Sequence, residues 1–177
     1  MKHSPVIGLA WDPTAKLTGS IRFGYTFTDF THNDPTRNNS PAGWMVSLGS
    51  IYRYSRATTL NLSVQRSTQQ DIDFNNKPFE AIGLWVSLNH DWAYLRAATY
   101  VSFAYGNDSY FANAINPGTT IVSRREDNIY SIGAGISRPF ARWLRLRLDY
   151  NYTKRNSDFN TFSYDEHRVL IGAQLTL

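Results

Sequence analysis

The sequence predicts an all-β fold, an antiparallel transmembrane β-barrel. Three observations predict it. Apolar residues alternate with polar or small ones along most of the 177 residues, which is the period of a strand with one oily face. The segments between these stretches are short and long by turns, as in a barrel with tight turns at one rim and loops at the other. Aromatic residues gather near the ends of the stretches, where a membrane interface would hold them. Helical periodicity is nearly absent. No apolar run approaches the ~18 residues of a membrane helix. That leaves a barrel open, because each barrel strand carries only a weak signal.

Nine strands are expected in one domain spanning residues 1–177. The first, Val6 to Asp12, sets Ile7, Leu9 and Trp11 on one face. The second, Leu17 to Phe30, is the clearest. Leu17, Ile21, Phe23, Tyr25 and Phe27 face one way, and Thr18, Ser20, Arg22, Gly24, Thr26 and Thr28 the other. The third, Trp44 to Tyr54, turns Trp44, Val46, Leu48, Tyr52 and Tyr54 outward. The fourth, Thr58 to Gln70, has Leu60, Leu62 and Val64 outward and Asn61, Ser63 and Gln65 inward. The fifth, Ala81 to Asn89, carries Ile82, Leu84, Val86 and Leu88. The sixth, Tyr94 to Tyr110, carries Leu95, Ala97, Val101, Phe103 and Tyr105. The seventh, Asn128 to Ser137, carries Tyr130, Ile132, Ala134 and Ile136. The eighth, Trp143 to Thr153, pairs an outward set (Leu144, Leu146, Leu148, Tyr150, Tyr152) with an inward one (Arg145, Arg147, Asp149, Asn151, Thr153). The ninth, Arg168 to Leu177, sets Val169, Ile171, Ala173, Leu175 and Leu177 against Arg168, Gly172, Gln174 and Thr176.

Short connections are expected at 12–16, 55–57, 90–93 and 138–142, and long polar ones at 31–43, 71–80, 111–127 and 154–166. Trp11, Trp92, Phe140 and Trp143 lie by the short turns. Phe27, Phe30, Trp44, Tyr110 and Tyr152 lie by the long loops, which completes two aromatic girdles. In an outer-membrane barrel the turns are periplasmic and the loops extracellular. The last strand then runs toward the periplasm, and so does the first. An odd strand number and a first strand running downward depart from the bacterial habit. The expectation is the C-terminal part of a larger barrel, with an unpaired edge at Ile7 to Trp11; the alternatives are a missed or extra strand near the weak first one, or a genuinely odd-numbered barrel. Met1 to Pro5 lacks the apolar core of a signal peptide.

Composition excludes several classes. Cysteine is absent, so there is no disulfide framework or thiolate metal site. The net charge of +4 is spread out, without the basic patch of a nucleic-acid binder. His3, His32, His90 and His167 form no His-Glu-x-x-His spacing, and no G-x-S-x-G elbow appears. His167 is the one candidate for an assembled hydrolytic site. No enzyme activity, cofactor or metal is expected. Asp29, Asp34, Asp71, Asp73, Asp158, Asp165 and Glu166 in the long segments match no calcium loop and read as solvated charge.

Several segments resemble the putative beta-barrel porin 2 family. They are WDPTAKLTG (Trp11 to Gly19), GYTFTDF (Gly24 to Phe30), Gln65-Arg66-Ser67-Thr68, Arg142-Trp143-Leu144 and YTKRNSDFN (Tyr152 to Asn160). The resemblance covers most of the chain, as the C-terminal half of larger members. It implies a bacterial outer-membrane location and a conduit tied to exopolysaccharide export. It supplies no catalytic residues.

Strand parity turns Arg22, Arg53, Arg96, Arg145, Arg147 and Arg168 away from lipid. A charge on the lipid face near mid-membrane would cost ~2–4 kcal/mol, so energetics and parity agree. One reading is a cationic lumen favouring anions or acidic polysaccharide. The other is a ladder of internal ion pairs with Asp149 and Glu166. Trp85 and Tyr100 break the oily-out rule and are candidate lumen aromatics, either stacking on sugar rings or filling a narrow barrel. Gly83, Gly133, Gly135 and Gly172 share the inward face, where strand glycine allows close approach.

The function these residues imply is passive passage of polar solutes. Expected partners are membrane lipid and lipopolysaccharide, an acidic polysaccharide or anion, and the barrel-assembly machinery through the C-terminal strand. A structural or adhesive barrel with a blocked lumen, acting through its loops, is the alternative. A soluble barrel around an apolar ligand would reverse the parity. The aromatic girdles argue against it.

Overall fold

Alternation becomes pairing in one antiparallel sheet. In a computed structural model, the structure describes residues 2–28, 42–71, 77–115 and 122–176. The strands are β1 (Lys2–His3), β2 (Val6–Thr14), β3 (Leu17–Thr28), β4 (Gly43–Arg53), β5 (Thr58–Asp71), β6 (Lys77–Trp92), β7 (Ala97–Ile115), β8 (Val122–Ala141), β9 (Leu144–Ser157) and β10 (Tyr164–Leu175). A 3₁₀ turn, Asn160–Phe162, precedes β10. From β3 to β10 each strand pairs with its successor. β1 and β2 share the other edge of β3, on either side of Ser4 and Pro5, so the sheet is nine strands across. Among the described residues β2 and β10 do not pair with each other, and the edge at Ile7 to Trp11 is open.

Register keeps like with like. Leu60 faces Leu88 and Val64 faces Leu84 on one side of the sheet. On the other, Ser102, Gly133 and Asn151 line up across three strands. Exposure then runs opposite to that of a water-soluble domain. Along β8, Tyr130, Ile132, Ala134 and Ile136 are exposed, whereas Ser131, Gly133, Gly135 and Ser137 are sheltered. The apolar face carries Ile171 at 81%, Ile7 at 77% and Val169 at 64% exposure. The sheltered polar face buries Ser87 and Asp149. A soluble protein rarely leaves an apolar surface of that extent open. Polar pairs such as Asn61 Nδ2 to Ser87 Oγ at 3.1 Å and Ser131 Oγ to Asn151 Oδ1 at 3.0 Å knit the sheltered face.

The apolar band on β9 runs from Leu144 to Tyr152, within the ~9–11 residues of a tilted membrane strand. Ring pairs mark its loop-side rim: Tyr25–Trp44 and Tyr105–Tyr130, each 5.2 Å between centroids. Exposed Tyr52, Tyr54, Trp92, Phe140 and Trp143 mark the turn side.

Several expectations need correction. Tyr94 to Arg96 are not strand; they form the turn before β7. Arg96 closes it at φ 46°, donating its N–H to the Ala93 carbonyl at 3.3 Å. Strand parity therefore does not apply to Leu95 or Arg96. Tyr110 is no girdle residue. Its parity is inward, and it is buried at 3% exposure and stacked on Phe79 at 5.1 Å. The connection expected at 111–127 is mostly strand, because β7 and β8 pair as far as Ile115 and Val122. Their polar composition there looks like a loop but belongs to a ribbon beyond the aromatic rim. For the same reason β6 begins at Lys77, β9 extends to Ser157 and β10 begins at Tyr164. Met1, Asp29, Phe30, His32, Asp34, Asp73 and Leu177 lie outside the described residues.

Candidate functional site on the sheltered polar face

The sheltered face offers two groups of side chains, one toward each end. Toward the short turns, β7, β8 and β9 bring Tyr100, Gly135 and Asp149 into one row. Tyr100 Oη donates to Asp149 Oδ1 at 2.8 Å, reaching from β7 to β9 across β8. Strands lie ~4.8 Å apart, so this bond spans two strand spacings. The reach is possible because position 135 has no side chain: a Cβ there would overlap both the Tyr100 ring and the Asp149 carboxylate. Arg147 forms an ion pair with Asp149 at 2.5 Å, and its guanidinium lies 5.9 Å from the Tyr100 ring centre.

Arg145 stands one step nearer the turn, opposite Pro139 and Gln174. A cavity of about 510 Å³ is lined by Asn89, Tyr100, Arg145, Arg147, Asp149 and Gln174. A second, about 610 Å³, joins Arg145 to Arg56, Arg96, Asp91 and Trp92. Hydroxyl, amide, guanidinium and ring surfaces therefore meet in one place. These are groups that donate hydrogen bonds to, or stack against, polar solutes in general. Among the described residues no group of three His, Asp or Glu side chains is placed to hold a metal ion.

The remaining candidates are dispersed on the same face. Arg22 sits on β3 opposite Gly8 and Ser47. Arg53 ends β4 opposite Thr59. Arg168, opposite Asn151, pairs with Glu166 at 2.7 Å. Trp85 lies between Ser63 and Ala104 and is 42% exposed. Among the described residues no carboxylate lies within 4.0 Å of Arg22, Arg53, Arg96 or Arg145. Among the described residues, Arg147 and Arg168 are thus paired, and the other four form no ion pair.

Sequence reasoning missed the group at the loop end. Asp127 is fully buried and bridges Arg125, at 2.7 Å, and Arg155. The Arg125 guanidinium lies 3.7 Å from the Phe162 ring centre and 4.7 Å from that of Tyr110. Phe159 is fully buried beside them. Burial works against the Asp127 charge, but hydrogen bonds involving Arg125, Ser157 and Arg155 outweigh it and hold the carboxyl below its usual range. The signal was present in Arg125-x-Asp127, two charges on one strand face. Arg66 and Glu80 were missed too. They form a two-bond ion pair at 2.8 and 2.6 Å on the outward face, beyond Val64 and Ile82.

A family model for putative beta-barrel porin 2 matches residues 6–177. The chain belongs to that family. Membership agrees with the all-β antiparallel sheet and makes this porin a membrane β-barrel protein. No curated protein and no solved structure matches the chain. The segments that carried the resemblance have structural reasons. In Trp11 to Gly19 the indole of Trp11 lies over Gly19, and Thr14 Oγ1 accepts from the Leu17 N–H at 3.1 Å to close the turn. In Tyr152 to Asn160, Arg155 and Phe159 build the loop-end group.

Proposed function

We propose that this porin forms a polar path across the bacterial outer membrane, with acidic saccharides as its cargo class and surface exopolysaccharide secretion as its setting. The observation that carries the reading is the inverted exposure of the sheet, polar side sheltered and apolar side open. Lipid, including lipopolysaccharide at the outer leaflet, covers the apolar face. The sheltered face lines water. Arg22, Arg53, Arg145 and, at the turn-side mouth, Arg96 form no ion pair among the described residues, so their charge attracts anions entering from the periplasm. Tyr100 and Trp85 offer ring faces to sugars, and Ser, Thr and Asn side chains replace water contacts along the way. Assembly proceeds through recognition of the C-terminal strand by the barrel-assembly machinery.

Reversal potentials in planar bilayers test the reading, with the double variant Arg145→Glu/Arg147→Glu against wild type. Anion preference in the wild type, lost or inverted in the variant, is the expected result. Identical selectivity in the two would remove the arginines from the account. Passage of oligogalacturonate, compared with neutral maltooligosaccharide, tests the cargo class.

A second reading is favoured by the loop-end group. Phe159 and Phe162 cover part of the sheltered face, as they would in a blocked barrel that acts through its loops. A wild type without conductance would select it.

A further inference from the structure

The connection between β9 and β10 does not continue outward along the strands. Asp127 and Arg155 share the inward parity of Tyr100 and Asp149 through the register of β7, β8 and β9. Tyr110 has it through its pairing with Phe79. Phe159 and Phe162 meet this group, so the 3₁₀ turn lies over the inner face of the sheet. Several contacts fasten it. Arg125 lies beside the rings of Tyr110 and Phe162 and is 2% exposed. The Asp158 N–H donates to the Glu126 carbonyl at 3.1 Å. The Ser157 N–H donates to Ser163 Oγ at 2.9 Å, and Ser163 Oγ donates back to the Ser157 carbonyl at 3.3 Å.

An extracellular loop with no role in the path has no reason to turn inward onto two buried charges and the buried rings of Tyr110 and Phe159. Burying Arg125 and Asp127 carries a desolvation cost, met only by close pairing. A cation between aromatic rings is held more firmly when water is excluded. The result is a compact turn packed on the loop-side end of the inner face and fixed by charge.

We infer that residues 158–163 form a fixed constriction at the outer mouth, in which Phe159 and Phe162 set the size limit for passing solutes and Arg125 anchors them. The inference rests on the reading of the sheltered face as the path. It differs from that reading in what it controls: solute size, where the turn-side arginines control charge.

The test uses the full-length protein in planar bilayers and in liposomes loaded with sized polyethylene glycols. One variant replaces residues 159–162 with two glycines, which removes the cap by construction. A second, Phe162→Ala, removes one ring and leaves the ion pairs intact. The excision is expected to raise single-channel conductance roughly twofold or more and to admit larger polymers, with charge selectivity unchanged. Phe162→Ala should shift the size limit in the same direction by less. Conductance only after excision also supports the constriction, as a fully closed mouth. Equal conductance and an equal size limit in wild type and excision variant would overturn the constriction while leaving the porin reading in place. Absence of conductance in both would overturn the path, and the constriction with it.

Discussion

At the loop end, Arg125 and Asp127 are buried, the half-buried Arg155 joins them through Asp127, and aromatic rings lie against Arg125. At the turn end, Arg53, Arg96 and Arg145 stand on or beside the same sheltered face and, among the described residues, form no ion pair. The residue types are alike and their situations are opposite. Paired and buried, arginine is part of the architecture, and its removal should be felt as lost stability. Exposed and without an ion pair among the described residues, it has less to lose on removal, and on the proposed path its charge meets the solute.

That contrast can be broken most severely at Asp127. Asp127→Ala leaves Arg125 and Arg155 charged and without their carboxylate. We expect a loss of about 3–5 kcal/mol, read as a lower denaturation midpoint of the refolded protein in lipid. Arg145→Ala at the other end should leave that midpoint nearly unchanged. Acid should act in the same direction as Asp127→Ala. A carboxyl whose pKa is lowered in the folded state contributes stability above its ordinary range and loses it as pH falls through the lowered value. A fluorophore on a cysteine at Asn160 should therefore keep its anisotropy from neutral to mildly acidic pH, and lose it only below about pH 3.9.

A charge on either side of one strand comes next. Ile132→Arg faces lipid and should cost ~2–4 kcal/mol. Ser131→Arg, its neighbour on the sheltered face, should cost far less and raise anion preference. Comparable losses from both would deny that the two faces meet different solvents.

Smaller again is Gly135→Val. The added branch forces Tyr100 off Asp149, at about 1–3 kcal/mol of overpacking, and should alter conductance by narrowing the turn-side cavity. Smallest is Glu166→Gln. The Glu166–Arg168 pair is exposed, so we expect under about 1 kcal/mol and a slight gain in anion preference from the released Arg168.

The strand faces were legible because membrane strands repeat every two residues. Wherever the alternation was clean, as in Leu17 to Phe27 or Leu144 to Thr153, structure and sequence agree on which side each residue takes. The polar strand extensions were not legible. Asn107 to Ser109 and Arg124 to Asp127 sit past the lipid, where no apolar face is needed and the pattern fades, although the pairing continues. Arg96 misled for a related reason: Tyr94 and Leu95 preserve the alternation through a turn whose backbone has left the strand. The site was half legible. Parity placed Arg145, Arg147 and Tyr100 on one face but could not show that Gly135 clears a way from Tyr100 to Asp149. It could not reveal the loop-end group at all, because that group joins β7, β8, β9 and a 3₁₀ turn far apart in sequence.

The central claim is that the sheltered polar face meets water and the exposed apolar face meets lipid. The chain contains no cysteine, so single cysteines can be placed in turn from Leu144 to Thr153 along β9 in the membrane-embedded protein. Each is then challenged with a charged, membrane-impermeant maleimide. The account predicts strict alternation: labelling at 145, 147, 149, 151 and 153, and protection at 144, 146, 148, 150 and 152. Uniform labelling, or labelling on the apolar set, would contradict it.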